Sequence, residues 1–470
     1  MVRRWVWRGD GAALPGAFAE AVADLGPAHA SLLARLLWNR DIRDRDAAAA
    51  FLRPTLAHGL RSPLLLKDMG RAATRLADAL AAGEPIAVYG DYDVDGITGA
   101  AQLVLCLREL GAEPLLHVSH RGREGYGLHV DALDRLRAAG ARVVVTADCG
   151  TADEAALAHA ADAGLDVIVC DHHHVPTRRP AAYALLNPLQ AGCAFPFKGL
   201  SGAGVVFYLL MGLRAELRAR GHTGLPDLRP YLDLVALGTV ADVVPLREEN
   251  RVLVAHGLRA LERTARPGLV ALKGMALVDA VSVRSIGFRL APRLNAGGRL
   301  ADARVAVEML TTASTERAQA LAAELEVHNA ERRALEDAMM AEALAAARRM
   351  GIRWRARWSS RAKGGTPAWS ASWPPAWPSG SIGPRSSSRS RERRAAARDG
   401  ACAACTCTRP SARAARCSRR SAGTARRSAS RCVASGWASS RRASSRRSPR
   451  TRCRPTWSRC SRSTARCRSG

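Results

Sequence analysis

Three aspartates at alternate positions are the first residues whose types and spacing could do chemistry. Asp91, Asp93 and Asp95 lie in "VYGDYDVDGITG", directly after an apolar run that predicts a buried strand. Carboxylates at this spacing repel one another, so a bound cation is the usual reason for such a group. The stretch begins like a calcium-binding loop, but it has Gln102 where that loop requires glutamate, so we do not expect a calcium loop here.

Two further strand-like runs end in the same kind of side chain. "VVVTA" is followed by Asp148, and "VIVC" is followed by an acid and three histidines: Asp171, His172, His173 and His174. Ligands of open α/β sheets bind beyond the carboxyl ends of the strands, so these loops are expected to meet in one crevice. One acidic turn by itself is more often a solvated loop, but several at strand ends indicate a single metal site.

A fourth acidic group follows an apolar, helix-like run, where Asp242 lies in "ALGTVADVVPL". Four or five carboxylates with one or two imidazoles suit Mn²⁺ or Mg²⁺ better than Zn²⁺, which prefers fewer and softer ligands. So many acids indicate two ions, because one divalent charge would under-compensate them. Two metals ~3.5–4 Å apart are a common apparatus for hydrolysing phosphate esters, and the sequence predicts a site of this kind.

The segments around these motifs alternate between strand-like and helical character. "PIAVYG", "EPLLHV", "RVVVTA" and "DVIVC" are typical of strands, and helical runs of ten to fifteen residues separate them. This alternation predicts an α/β fold with a doubly wound, mostly parallel sheet. We expect a helical N-terminal region at residues 1–80, the α/β domain at 81–313 and one long connecting helix at 314–352.

The remaining segment, residues 353–470, has a different composition. It holds 30 of the 71 Lys and Arg residues but only two of the 42 acidic ones, and Ile382 and Val433 are the only residues in it that are Leu, Ile, Val, Met, Phe or Tyr. Such a segment cannot bury enough apolar area to fold by itself. A basic nucleic-acid-binding arm is one interpretation, but seven tryptophans and eight cysteines fit it poorly. We favour a frame-shifted reading of a GC-rich gene, because reading residues 357–386 one base across restores an apolar folding pattern.

The charge and the cysteines indicate where the protein is located. Almost all of the net charge of +29 lies in the tail, so residues 1–352 are close to neutral. Four scattered cysteines in that part are typical of reduced thiols in a cytosolic protein. The opening "MVRRWVWRGDGAALPG" lacks the apolar run of a signal peptide, and no run reaches the ~18–20 residues that span a bilayer. We therefore expect a cytoplasmic protein without a membrane partner.

Taken together, the motifs resemble the DHH phosphoesterase superfamily and, within it, the RecJ family of bacterial single-strand-specific exonucleases. The resemblance runs from about Leu32 to Met350 and is carried by "VYGDYDVDGITGA", "HRGREGYGL", "VTADCGT", "CDHHHVP", "LSGAGVVF", "YLDLVALGTVADVVPL" and "APRLNAGGRL". Cys170 stands where the family usually has threonine. The family's Gly-Gly-His motif and its nucleic-acid-binding OB domain are missing from the printed sequence.

The resemblance implies a role for each residue of the site. It implies that six residues ligate one or two Mn²⁺ ions: Asp91, Asp93, Asp95, Asp148, His172 and Asp242. His173 is assigned to the scissile phosphate or to the second metal, and with Asp148 and His172 it forms the predicted catalytic set. Asp171 is expected to orient a histidine. His174 is expected to be incidental, because three adjacent side chains cannot all face one ion.

Phosphate chemistry also needs donors and positive charge outside the metal site. Arg121 in "HRGREGYG" is one candidate for binding the substrate. Arg293, Asn295 and Arg299 in "PRLNAGGR" are the others, since two arginines flank a predicted Gly-Gly loop whose backbone could approach a phosphate closely.

The expected function follows from the resemblance. It is a metal-dependent 5′→3′ exonuclease acting on single-stranded DNA in DNA repair and recombination, with single-stranded DNA, a single-strand-binding protein and a recombination helicase as partners and a monomeric state. Two alternatives stay open at this point. One is a DHH-type phosphodiesterase for short oligoribonucleotides or cyclic dinucleotides, and the other is an inactive metal-binding remnant.

Overall fold

Residues 14–300 and 302–349 are described by the structure, which is a computed structural model. The basic segment predicted at 353–470, with its frame-shift interpretation, lies outside the described residues. Within the described ranges, none of the helices combines the length and the apolar character needed to cross a bilayer.

The chain begins with short helices that have a core of their own. These helices are α1 Gly16–Ala21, α2 Ala30–Trp38, α3 Arg45–Leu52, α4 Leu56–Gly59 and α5 Met69–Ala82. Phe18, Leu37 and Ala48 pack together in the small core of the first three. The carboxylate of Asp44 accepts the N–H of Ala47 at 2.8 Å and so begins α3, as aspartate commonly does at this position.

In the part of the chain that the structure describes, five strands form one fully parallel sheet in the order β2-β1-β3-β4-β5. The strands are β1 Ile86–Gly90, β2 Leu115–Val118, β3 Val143–Ala147, β4 Asp166–Cys170 and β5 Ala184–Leu186. The crossover helices are α6 Val94–Glu109, α7 Val130–Ala138 and α8 Glu154–Asp162. β1 and β3 are buried along their whole length, because helices cover both faces of the sheet. The predicted α/β fold is confirmed, and the short strand β5 was not predicted.

The strand order determines where the site must lie. After β1 the chain forms β2 on one side of β1, and it then crosses to form β3 on the other side. The direction of winding therefore reverses between β1 and β3. A crevice opens outside the carboxyl ends of the strands at such a point. The aspartates after β1 and β3 therefore stand at its opposite walls.

Beyond β5 the described chain consists of loops, short helical turns and the last of its α-helices. These α-helices are α9 Gly202–Ala219, α10 Leu232–Ala241, α11 Glu248–Arg263, α12 Pro267–Met275, α13 Val283–Ser285, α14 Ala291–Leu300, α15 Arg304–Thr311 and α16 Thr315–Arg349. Every residue of α10 except the last is buried, because this helix lies in the middle of the helical layer.

The loop predicted for "PRLNAGGR" is wrong, because the segment lies inside α14. Its glycines serve helix packing there. A Cβ atom on Gly298 would collide with the backbone oxygen of Tyr92, and one on Gly297 would lie 3.0 Å from a methyl carbon of Leu325. Two glycines in a row usually indicate a turn, but here they let α14 approach its neighbours closely.

Candidate metal centre

Each of the three alternating aspartates occupies a different structural position. Asp91 directly follows β1, and its Oδ1 accepts a hydrogen bond from the hydroxyl of Ser119 at 3.0 Å. Asp93 begins α6, where its Oδ1 accepts the N–H groups of Asp95 at 2.9 Å and Gly96 at 3.1 Å. Asp91 thus stands at a strand end, Asp93 at a helix cap and Asp95 in the first helical turn. Together these positions bring three carboxylates to one edge of the sheet.

Asp95 is buried against the start of another helix. Its Oδ2 accepts the N–H of Gly202 at 2.5 Å and its Oδ1 accepts that of Ala203 at 3.0 Å, and these are the first two residues of α9. Unpaired N–H groups and the helix dipole favour a negative charge at this place. Burial nevertheless raises the pKa of Asp95 well above its usual value, and the charges of Asp242 and Asp93 raise it further.

Asp148 follows β3 in a backbone conformation that side chains seldom adopt. Its φ is 68°, in the left-handed region, and strain of this kind is concentrated at functional sites. Its Oδ1 lies 3.1 Å from Nε2 of His172 and 3.7 Å from Nδ1 of His173. A Cβ atom on Gly202 would lie 2.6 Å from the same Oδ1, so glycine is required for α9 to come this close.

Asp171 follows β4 and is saturated with hydrogen bonds. Its Oδ1 accepts the N–H of His172 at 2.7 Å and contacts Nδ1 of His173 at 2.8 Å, and its Oδ2 accepts the N–H of Thr151 at 2.9 Å. Burial by itself raises the pKa of Asp171, but the hydrogen bonds from His173 and Thr151 outweigh it and hold the pKa below its usual value. The contact is the one expected of an ionised carboxylate that orients a histidine ring.

His172 lies at the middle of the cluster. Its Nε2 is 3.1 Å from Oδ1 of Asp148, 3.4 Å from Oδ2 of Asp242 and 3.9 Å from Oδ2 of Asp95. Among the described residues, this nitrogen and the nearest oxygens of Asp148 and Asp242 are buried without a hydrogen-bond partner. Burying three converging polar atoms unpaired costs several kcal/mol, roughly 1–3 for each, unless something binds them. A cation is the group that fits.

The ligand atoms fall into three overlapping groups, in each of which they lie within 4.8 Å of one another. The groups are Asp91, Asp93 and Asp148; Asp95, His172 and Asp242; and Asp148, His172 and His173. All six predicted ligands are therefore brought together, with His173 beside them. Because Asp148 and His172 each belong to two groups, the arrangement fits two neighbouring divalent ions that share ligands. His174 is exposed and belongs to none of these groups.

The shifted pKa values of the cluster also indicate that a cation binds there. Burial and the charge of Asp93 raise the pKa of Asp91 to about 7, and the same two causes raise that of Asp242 to about 6. Burial and the neighbouring His173 lower the pKa of His172 to about 4, so its ring is neutral and able to ligate a metal at neutral pH. Without a cation the cluster holds protons, and a metal ion must displace them.

Thermal stability should therefore depend on pH in opposite ways with and without metal. Asp91, with its raised pKa, holds a proton in the folded state that the unfolded chain lacks, and the stability it contributes is lost as pH rises through about 7. In EDTA we expect the unfolding midpoint to fall between pH 6.5 and pH 8, whereas with saturating Mn²⁺ it should rise. The lowered pKa of His172 acts only below this window. Equal slopes with and without Mn²⁺ in a thermal-shift series would contradict the assignment.

A pocket of about 270 Å³ opens beside the cluster. Its lining residues are Asp91, Tyr92, Asp93, Arg121, Tyr126, Asp148, His173 and Asn295. Two of the four predicted substrate-binding residues, Arg121 and Asn295, are thus at the site. The guanidinium of Arg121 lies over the ring of Tyr92, 5.4 Å from its centre. The amide oxygen of Asn295 accepts the N–H of Val94 at 3.0 Å, which leaves its NH₂ group as the donor for a ligand.

Of the other two predicted substrate-binding residues, the structure describes the side chain of Arg293 alone, and it has a different role. Arg293 is buried, its Nε lies 2.5 Å from Oε2 of Glu326, and its Nη1 donates to the backbone oxygen of Arg289 at 2.7 Å. It fastens α14 to α16 and does not line the pocket. The side chain of Arg299 lies outside what the structure describes.

This ion pair leads to a prediction about stability. We expect Arg293→Gln to lower the free energy of unfolding by about 3 kcal/mol, because it leaves the partly buried charge of Glu326 without its partner. Denaturant unfolding measures the effect, and adding Glu326→Gln should recover much of it. In the control Arg317→Gln, whose partner Glu308 is half exposed, the change should stay below about 1 kcal/mol. Unchanged stability in Arg293→Gln would contradict this structural role.

Tyr92, Tyr126 and Ser119 belong to the site or contact it, and none of them was among the predicted residues. The hydroxyl of Tyr126 donates to the backbone oxygen of Asp148 at 3.2 Å and lies 2.9 Å from Nδ1 of His173. Its signal in the sequence is "GYG", in which both glycines have positive φ and fix the direction of the tyrosine. Ser119 follows β2, so the rule that selected the aspartates, a polar side chain directly after a strand, also selects it.

Comparisons with known proteins agree with this geometry. The family model described as "DHH family, N-terminal domain" matches residues 85–239. The chain is 42% identical over 323 residues to the single-stranded-DNA-specific exonuclease RecJ of Dickeya dadantii, covering 67% of this chain and 55% of the relative. It is 38% identical over 340 residues to that of Escherichia coli, covering 70% and 58%.

Solved structures give the same result. A crystal structure of exonuclease RecJ bound to manganese is 37% identical, with a TM-score of 0.55, and the match covers 60% of this chain and 71% of that one. RecJ of Thermus thermophilus in complex with Mn²⁺ is 34% identical, with a TM-score of 0.59, over 70% and 46%. The chain belongs to the DHH family and, within it, to the RecJ group. It spans 55–58% of the length of the two curated relatives.

Proposed function

We propose that the protein is a metal-dependent exonuclease that hydrolyses the phosphodiester bonds of single-stranded DNA from the 5′ end. The observation that carries the proposal is the set of buried, unpartnered ligand atoms of Asp148, His172 and Asp242 at the carboxyl edge of the sheet. The RecJ relatives are named single-stranded-DNA-specific exonucleases, and two of their structures hold manganese. Mn²⁺ or Mg²⁺, as two ions, is the proposed cofactor.

The ligands divide into two sets that share residues. Asp95 and Asp242 would hold one ion with His172, and Asp91 and Asp93 would hold the other, with Asp148 between them. When bound, the ions supply an acidified water as the nucleophile and positive charge for the phosphate.

The residues that line the pocket would receive the substrate. His173, whose ring is held by Asp171 and Tyr126, would contact the scissile phosphate. Arg121 and the NH₂ group of Asn295 would bind oxygens of the strand's other phosphates, on the opposite side of the pocket from His173. In this arrangement the metal ligands carry the chemistry, and the lining residues hold the strand in line with it.

We extend the proposal to the organisation of the chain and its setting. In this proposal residues 1–80 would form a helical region, 81–313 the DHH domain and 314–352 a connecting helix. The sheet and its covering helices between Ile86 and Thr311 support this division. The protein would act in the cytoplasm as a monomer in DNA repair and recombination, with a single-strand-binding protein and a recombination helicase as partners.

A digestion experiment tests the function and its direction. A 5′-phosphorylated single strand with a fluorescent 3′ end is incubated with the protein and Mn²⁺, and aliquots are resolved by length. We expect a ladder that shortens from the 5′ end, mononucleotide products, no digestion in EDTA and little digestion of a blunt duplex. Cleavage of only di- and trinucleotides would instead support the short-oligonucleotide phosphodiesterase, and strand binding without any cleavage would support the inactive remnant.

A further inference from the structure

One loop beside the metal centre is rich in glycine, and a single turn supplies its internal hydrogen bonds: the backbone oxygen of His120 accepts from the N–H groups of residues 123–125, and its Nδ1 accepts from that of Gly122. The glycine loop, residues 120–128, joins β2 to α7 without forming a helix or a strand. Three of its nine residues are glycines, and Gly125 and Gly127 have φ values of 90° and 99°. Glycine loses more conformational entropy on ordering than any other residue. The loop nevertheless presents both Arg121 and Tyr126 to the pocket, and contacts beyond that turn fix its position against β2 and α7.

Glu124 orders the first half of the glycine loop. Its Oε2 accepts the backbone N–H of His120 at 2.9 Å and lies 3.4 Å from Nε2 of His117, and its Oε1 accepts from Arg135 at 3.1 Å. Burial raises the pKa of Glu124, but these three partners outweigh it and keep the pKa below its usual value. One carboxylate thereby links the loop to strand β2 and to helix α7.

The second half of the glycine loop has anchors of a similar kind. The hydroxyl of Tyr89 donates to the backbone oxygen of Gly127 at 3.1 Å, and Oδ2 of Asp153 accepts the N–H of Leu128 at 2.7 Å. Tyr89 and His117 are paired neighbours on β1 and β2, with ring centres 4.6 Å apart. The sheet thus supplies an anchor for each half of the loop from adjacent positions on β1 and β2.

We infer that Glu124 is a positioning residue for the substrate, which holds the glycine loop so that Arg121 and Tyr126 face the metal centre. The inference rests on the proposed function and deepens it: the carboxylate touches no metal ligand and acts through Arg121 on the phosphates of a bound strand. Without Glu124 the start of the loop loses three contacts at once. The metal ligands stand on other loops and keep their places.

The test compares two substrates in the full chain with Mn²⁺. One is a 5′-phosphorylated single strand, and the other is thymidine 5′-p-nitrophenyl phosphate, a small diester with one phosphate. For Glu124→Ala we expect KM for the strand to rise about ten-fold, as for the loss of a charged hydrogen bond. We expect kcat for the strand, both constants for the small diester and the affinity for Mn²⁺ to change less than about two-fold. In Glu124→Gln, whose amide oxygen still accepts from His120, the rise should be smaller.

Two further variants make the result specific. Tyr89→Phe removes only the hydroxyl that binds Gly127 and should raise KM for the strand in the same selective way. It also serves where Glu124→Ala does not fold. Asp134→Asn is the matched control, because this carboxylate of α7 also pairs with a histidine, His159, at 2.9 Å but does not contact the loop. Its kinetic constants should equal those of the wild type.

The inference is overturned if Glu124→Ala folds and binds the strand like the wild type, or if it weakens both substrates equally. A wild type that hydrolyses neither substrate would contradict the proposed function instead. In that case the anisotropy of a labelled 5′-phosphorylated strand decides the inference separately. About ten-fold weaker binding by Glu124→Ala supports it, and unchanged binding overturns it.

Discussion

Replacing Asp148 by asparagine is expected to lower kcat at least about a thousand-fold, equivalent to ~4 kcal/mol of transition-state stabilisation. The reason is the position of its carboxylate, which belongs to two of the three ligand groups and lies between the two proposed ions. An amide is a poorer ligand for Mn²⁺ or Mg²⁺ than a carboxylate, and it leaves a divalent charge under-compensated. Hydrolysis of a single strand at saturating Mn²⁺ measures the effect.

The same variant should be more stable than the wild type when metal is absent. Burial and the charges of Asp95 and Asp93 raise the pKa of Asp148 well above its usual value, so its ionised form is unfavourable in the metal-free fold. Asparagine removes that charge while keeping the size of the side chain. In EDTA at pH 8 we expect a higher unfolding midpoint for Asp148→Asn.

Asp148→Asn should lose activity and yet gain stability in EDTA. This combination distinguishes the loss of a metal ligand from misfolding, which would lower both quantities. Asp134→Asn, which changes an exposed carboxylate, serves as the control and should alter neither quantity. A variant at Asp148 that keeps more than about a tenth of the activity would contradict the metal site, since a tenfold change is only ~1.4 kcal/mol. A variant that loses activity and is also less stable in EDTA would contradict the electrostatic account.

Gly238→Ala is expected to have the largest effect on folding. The glycine lies in α10, and a Cβ atom there would stand 2.5 Å from Oδ1 of Asp95, 2.5 Å from the hydroxyl of Thr98 and 2.8 Å from Cβ of Ala203. All three neighbours are buried and none can turn away into solvent. Overpacking at a tight site costs about 1–3 kcal/mol and occasionally more, and the upper end applies here. The displaced Asp95 should also weaken Mn²⁺ binding.

Gly274→Ala is the matched control for that substitution. It makes the same chemical change in another helix, α12, where a new Cβ atom would meet nothing within 4 Å. Alanine favours a helix over glycine by about 0.5–1 kcal/mol, so this variant should gain stability. Denaturant unfolding and Mn²⁺ titration of both variants give the comparison. Equal stability for the two would contradict the close packing of α10 against the site.

Much of the metal site could be predicted from the sequence because it depends on a local rule. Asp91, Asp148 and Asp171 each directly follow a run of strand-forming residues, and parallel strands bring such positions to one edge. The family model and the RecJ relatives confirm the recognition made from the same motifs. The roles of the individual ligands stay predictions, since only bound ions can show them.

Other features depend on tertiary contacts that no local pattern reveals. The partner of Arg293 is Glu326 on another helix, 33 residues further along the chain. The sequence therefore could not show whether Arg293 binds a carboxylate of the protein or a phosphate of the substrate. The glycines of α14 indicated a loop because their packing neighbours, Tyr92 and Leu325, are distant in sequence. Strand β5 has only three residues, which is too few for a periodic pattern to predict.

The number of Mn²⁺ ions bound by the purified chain can be counted from the loss of the free-ion signal in electron paramagnetic resonance. We expect about two ions per chain in the wild type and fewer in Asp148→Asn, because that carboxylate belongs to two of the ligand groups. Binding of no ion, or equal binding by the wild type and Asp148→Asn, would contradict a metal centre built from these residues.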